Sequence, residues 1–223
     1  MGYSYNKAQV VAKIAASQKT QREVKKFANQ EVNSAKAMML AAFEADPVTK
    51  ELEAGPTAPN DSETLNGVEG NLFSFIGFDK GKDPISPIRD VLEKETRLSD
   101  SYRVKVNQYA VKIQWDVLLP SKERLSAVAK ESTPSWSDRS WIDLIEQGAS
   151  GIRFFIYKYG IREDWLKKIL EPIIDERSRS GTGLQIDILK FIHRSNKGGR
   201  EGARFKNVSY ISKILNIFKD KFR

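Results

Sequence analysis

From Tyr5 to Glu44 the chain runs for forty residues without a proline or a glycine. Those two residues end helices, proline because it lacks a backbone N–H and glycine because ordering it costs the most entropy. Ala, Lys, Gln and Glu fill the stretch instead, all tolerant of helix, so the pattern predicts one helix of unusual length. Its apolar positions are uneven. Val24, Ala28, Val32, Ala35, Met39 and Phe43 recur at three-four spacing and predict a buried stripe, whereas Ser17 to Arg22 offers a core almost nothing. The helix is expected to pack through its second half and to project with its first.

Asp46-Pro47 ends it, because a residue before proline avoids the α region, and Gly55 to Glu69 reads as a long Pro/Asn/Asp/Ser/Gly loop. The run Gly70-Asn-Leu-Phe-Ser-Phe-Ile-Gly-Phe78 is apolar enough to require burial. Ser86-Pro87 predicts an N-cap and first-turn proline for a helix through Ile88, Val91 and Leu92 to about Thr96. From Tyr102 to Leu119 apolar and polar residues alternate, and the polar pair Asn107-Gln108 divides eighteen residues into two antiparallel strands with one face on the core. A short helix over Ser121 to Lys130 follows. Asp138 to Gly160 reads as a helix, with a strand over Gly151 to Tyr159 as the competing reading. A further helical turn or two around Trp165 to Leu170, a strand beginning at Leu184, and an amphipathic helix through Val208, Ile211, Leu215, Phe218 and Phe222 complete the pattern. The fold class expected is α+β: an antiparallel sheet with packed helices, a long N-terminal helix and a C-terminal amphipathic helix. The segments divide as 1–45 for the basic helix, 46–192 for the core and 193–223 for a basic loop with the last helix.

No cysteine occurs among the 223 residues, so packing alone must hold the fold, as suits a reducing cytosol. Neither a signal sequence nor an uninterrupted apolar run of membrane length is present, so neither secretion nor membrane insertion is expected. The net charge of +8 sits at the end: Arg177 to Arg223 holds twelve Lys and Arg against Asp187, Glu201 and Asp220, leaving the rest at −1. That placement suits either a surface for polyanions or a solvated tail. The first helix is locally basic too, with Lys7, Lys13, Lys19, Arg22, Lys25, Lys26 and Lys36 against Glu23 and Glu31.

Catalytic chemistry lacks its parts. His193 is the one histidine, so neither a zinc site nor a Ser/His/Asp relay can be assembled. The carboxylate pairs Glu44 with Asp46 and Asp175 with Glu176 are explained by helix-end electrostatics. Ser180-Gly-Thr-Gly183 and Asn196-Lys-Gly-Gly-Arg-Glu-Gly202 lack the helix N-terminus that cradles a phosphate. No cofactor and no enzyme activity are expected. The residues suited to sequence-neutral phosphate contact are Lys197, Arg200, Arg204 and Lys206 in the last stretch, with Lys13 and Arg22 on the first helix. The competing reading of the loop is a hairpin that orders against a protein neighbour.

Three segments, Asn71-Leu-Phe-Ser-Phe-Ile-Gly-Phe78 with Asp83-Pro84-Ile85, Ser140-Trp-Ile-Asp-Leu-Ile-Glu-Gln-Gly148, and Ser178-Arg-Ser-Gly-Thr-Gly-Leu-Gln-Ile186, resemble the neck or tail-completion proteins of tailed, contractile bacteriophages. The resemblance covers roughly Ala35 to Leu189; the long basic helix Tyr5 to Glu44 and the basic C-terminal fifth have no counterpart in it. It implies an α+β core, assembly into a ring joining head to tail, no catalysis, and location in the virion after synthesis in the host cytoplasm. The partners it implies are further copies of the chain and other neck, adaptor, terminator or tail proteins, with non-specific DNA contact in the lumen. The alternative class is a sequence-independent nucleic-acid-binding protein acting as monomer or dimer.

Overall fold

The structure, a computed structural model, describes residues 7–65, 71–106, 111–135, 137–147, 173–175, 183–185 and 205–223. The fold is α+β. Helices α1 (Lys7–Ala16), α2 (Gln18–Ala45), α3 (Pro47–Ala54), α4 (Leu72–Ile76) and α5 (Ser86–Glu95) lead to strands β1 (Arg97–Val106) and β2 (Val111–Leu118). Helices α6 (Lys122–Ser132) and α7 (Trp141–Gln147), strands β3 (Ile173–Asp175) and β4 (Gly183–Gln185), and helix α8 (Ile211–Asp220) follow.

The expected single N-terminal helix is broken at Ser17, whose ψ of 124° takes it out of the helical region. No proline or glycine stands there; α1 and α2, on either side of the break, both lie against the β1–β2 hairpin. The 28 residues of α2 span about 42 Å. Its buried residues are Val32, Ala35, Met39 and Phe43, with Ala28 packed beside the core and Val24 half-buried, so the predicted stripe is present and deepens along the helix.

Asp46 stops α2 in an extended conformation and starts α3, its carboxylate accepting a 3.0 Å hydrogen bond from the Val48 N–H ahead of Pro47 in the first turn. The loop beyond is held by polar side chains. Glu51, 1% exposed, accepts hydrogen bonds from the backbone N–H groups of Ser62 at 2.9 Å and of Leu72. The Asn71 amide donates to the Pro56 and Ala58 carbonyls at 2.7 and 3.0 Å, and its oxygen caps α4 by accepting from the Ser74 N–H at 2.8 Å. Every side chain of α4 is buried, as is Phe78, so the apolar run is core. Gly77 ends α4 in the left-handed region at φ 83°, which favours glycine.

Ser86 does not cap α5 as its sequence position suggests. It is the first residue of the helix, and the Asp83 carboxylate instead accepts from the N–H groups of Ile85 and Ser86 at 2.9 and 3.0 Å and from the Ser86 hydroxyl. Pro87 keeps its expected first-turn place. α6 is capped by Ser121, whose side chain accepts from the Arg124 N–H at 3.2 Å, and runs two residues further than predicted, to Ser132.

β1 and β2 pair antiparallel with Val106 opposite Val111, and β1 begins earlier than predicted, Arg97 lying opposite Leu118. Trp115 and Val117 pack beside the core, whereas Tyr102 and Val104 are exposed, so only part of the predicted apolar face is covered. β3 and β4 form a second antiparallel pair, matching the expected strand at its start. The remainder of the predicted 138–160 helix, its competing 151–159 strand and the predicted turns near Trp165 lie outside the described residues, apart from α7.

The last helix closes the core. Tyr210, fully buried, sits 6.1 Å from both Phe43 and Trp141 between ring centroids, and Trp141 meets Phe78 edge-on at 6.4 Å. Ile211, Ile214, Leu215 and Phe218 bury the apolar face of α8. Its N-terminus is held by Glu146 of α7, whose carboxylate accepts from the Tyr210 and Ser212 N–H groups at 3.2 and 2.8 Å, from the Ser212 hydroxyl at 2.9 Å and from Lys122. The core thus draws on α2, on the middle of the chain and on α8 together.

Two outcomes are expected. Phe75 lies stacked on Phe205 at 5.3 Å, so Phe75→Ala should cost roughly 3–5 kcal/mol, read from the urea midpoint. Burial pushes the Glu146 carboxyl up, but the hydrogen bonds from Lys122 and Ser212 outweigh it and hold the group below its ordinary 4.5. Its stabilising effect is therefore complete above that value and is lost as pH falls through the lower folded value. Glu146→Gln should lose about 1–3 kcal/mol at pH 7, and the gap to wild type should narrow on acidification below pH 4.5; a gap constant with pH would show that the charge of Glu146 is immaterial.

Candidate functional site

The structure divides by what its surfaces contain. The first half of α2 contributes no buried residue; together with α1 and the β1–β2 hairpin it makes an arm, while the second half of α2 belongs to the body. Within the arm, Tyr102 and Trp115 pack at 5.2 Å, and the Tyr102 hydroxyl donates to Gln21 Oε1 at 2.9 Å. Lys25 reaches Asp100 at 3.5 Å, a pair exposed enough to contribute little.

The arm leaves large apolar side chains in water. Phe27 is 63% exposed and Ile14 54%, with Val10, Tyr102 and Val104 also exposed. On the body, the outer face of α2 is made of Asn33, Ser34, Ala37, Met38, Ala41 and Ala45, all exposed and mostly small. These surfaces have no covering element among the described residues.

Charge divides in the same way. Residues 7–30 and 97–118 hold ten Lys and Arg against Glu23, Asp100 and Asp116, a net +7. Residues 31–96 hold six against thirteen acidic residues, a net −7. The near-neutral total before Arg177 conceals this separation.

The predicted site residues are not brought together. Lys13 and Arg22 are exposed on the arm. Lys206 belongs to the body: its N–H donates to the Thr64 carbonyl at 2.8 Å, and its ammonium lies 3.5 Å from Glu63. Phe205, beside it, bridges to Leu65 and stacks on Phe75, so this end of the basic segment is anchored. Lys197, Arg200 and Arg204 lie outside the described residues, as do His193 and the 196–202 glycine stretch. Lys36 is committed to the end of α5, donating to the carbonyls of Glu93 and of Thr96, the latter at 3.3 Å. Lys19 and Lys26 of the basic first helix, and Lys105 and Lys112 on the strands, are likewise exposed on the arm.

The carboxylates have structural partners. Arg89 donates to both oxygens of Glu44 at 2.6 and 2.9 Å and to Glu53 at 2.9 Å, tying α2, α3 and α5. Its hydrogen bonds hold the Glu44 carboxyl below the ordinary value. Asp46 caps α3 and lies 3.6 Å from Lys213. Among the described residues no group of His, Asp and Glu side chains is suited to hold a metal ion, and no helix is long and apolar enough to cross a membrane. No family model, curated protein or solved structure matches the chain.

Proposed function

We propose that this is a structural protein of a tailed-bacteriophage neck, forming or joining the ring that connects head to tail. The observation that carries assembly is the arm, where Ile14 on α1 and Phe27 on the first half of α2, which contributes no buried residue, stand more than half exposed. Side chains of that size gain about 1.5–3 kcal/mol each on burial, which a neighbouring subunit supplies. The neck assignment itself rests on the sequence resemblance. Two of its three segments lie in the core here, Asn71–Phe78 around α4 and Ser140–Gln147 around α7, which fits a shared scaffold rather than a shared catalytic site.

The rival reading, a monomeric or dimeric nucleic-acid binder, is favoured by the net +7 of the arm. Mass separates the two. The isolated protein should be a monomer or weak oligomer, and should enter a symmetric ring when mixed with phage heads bearing their connector. Phe27→Ala with Ile14→Ala should leave the unfolding midpoint within about 0.5 kcal/mol of wild type, because both sites are exposed and Ala favours helix, yet should abolish entry into the ring. Amide exchange over 7–16 in the free protein should exceed that of β1 and β2, and should slow on assembly. A protein that stays monomeric in every such mixture, while still binding duplex, would overturn the neck reading.

A further inference from the structure

The charges of α2 run against its own macrodipole. A helix N-terminus carries partial positive charge and favours acidic residues, yet the first turn of α2 holds no acid, and Lys19, Arg22, Lys25 and Lys26 crowd its first nine residues against Glu23. The cost falls mainly on Lys19, the one of these four within the first turn, and is a few tenths of a kcal/mol. Lys25 is turned towards Asp100. The other three are exposed and have no ion-pair partner among the described residues.

Their positions coincide. At 100° per residue, Lys19, Arg22 and Lys26 fall within about 60° of one another, while Gln21, Val24 and Ala28 face the opposite way, where Gln21 meets Tyr102 of the hairpin. The three are stepped along the axis by about 4.5 and 6 Å. A strand of duplex DNA advances about 3.4 Å along its axis per phosphate, so the stripe spans roughly three phosphates. The hairpin adds to the field, since Lys105 stands directly opposite Lys112 across the strands, both exposed, a like-charge pairing that destabilises a sheet.

The surroundings discriminate between partners. Protein interfaces are depleted in Lys at their centres and anchored by apolar and aromatic groups. On this face the next residues along α2 are Asn29, Gln30 and Asn33, and the exposed Phe27 lies about a quarter turn from Lys26. Three cations against the single carboxylate of Glu23, which shares this face, flanked by amides and with no apolar anchor, match the contacts made to a phosphate backbone.

We propose that Lys19, Arg22 and Lys26 form a sequence-independent contact for the phosphate backbone of a nucleic-acid duplex. This gives the non-specific nucleic-acid contact a specific place on the arm and does not depend on the neck assignment. The test uses the full chain and a fluorescently labelled random-sequence duplex, with anisotropy titrations at several salt concentrations. The variant is Lys19→Gln with Arg22→Gln and Lys26→Gln; the control neutralises the body cations Lys50, Lys80 and Lys82 in the same way, and circular dichroism verifies folding of both. Removing three phosphate contacts should flatten the slope of log K against log salt by about 2.7 and weaken AT-rich and GC-rich duplexes equally, with the control unchanged. Three results overturn the proposal: no duplex binding by wild type at low salt, a variant with the wild-type slope, or a variant that keeps duplex binding but loses self-association. The last would assign the stripe to the acidic face of a second copy.

Discussion

With no surface exposed, the Tyr210 ring lies 6.1 Å from Phe43 of α2 and from Trp141 of α7, while its hydroxyl shares a 2.7 Å hydrogen bond with Thr49 of α3. Burial pushes the phenol far above its ordinary value, so it remains a neutral hydroxyl. Four elements therefore meet at one side chain, three of them more than sixty residues away in sequence. Such contacts are expensive in loop entropy and form only because each brings large apolar area with it. Glu146 secures the same junction electrostatically, by filling the N–H groups that open α8 and taking its countercharge from Lys122. Without this closure α8 would have no partner for Ile211, Ile214, Leu215 and Phe218, and α2 would lose the cover over Phe43.

Where the sequence shows one dominant period, the structure agrees with it. The spacing from Val32 to Phe43, the alternation over Val111–Leu118 and the stripe from Ile211 to Phe218 each identified an element, because one face of each is buried and side-chain period follows burial. Features decided by tertiary contact were not legible. Nothing around Ser17 breaks a helix locally, and the helices on either side of it both lie against the hairpin. Glu51 and Asn71 look like ordinary loop polar residues, yet they satisfy the backbone of a long connection that could not otherwise be buried. Ser86 followed by Pro87 looked like a cap, and Asp83 took that role because its carboxylate accepts three hydrogen bonds where a serine hydroxyl accepts fewer. The candidate cations were legible only as composition: Lys13, Arg22 and Lys206 could be named, but which shared a surface depended on the fold.

Summing charge along the chain hid the most informative property of the surface. Segments of +7 and −7 cancel in the sequence, while the fold assigns the first to the arm and most of the second to the body. Within the body the acidic excess is partly absorbed by specific work, with Glu44 and Glu53 holding Arg89, Asp46 capping α3 and Glu51 closing the loop. The positive charge of the arm has few such uses. Its pairs, Lys25 and Arg97 with Asp100 and Arg103 with Asp116, are exposed and weak.

An arm built this way is stable for reasons unrelated to its outer surface. Tyr102 against Trp115, the contact to Gln21 and the packing of Trp115 and Val117 beside the core attach it from within, so Lys19, Arg22 and Lys26 can change without disturbing that attachment. The same separation explains why cations are tolerated at the unfavourable end of a helix. A helix of 28 residues anchored by Val32 to Phe43 loses only a few tenths of a kcal/mol to adverse charge at its first turn and does not unravel, because its stability comes from the far half. With cations unpaired among the described residues at one end of α2 and its buried residues at the other, one element serves both the body and the arm.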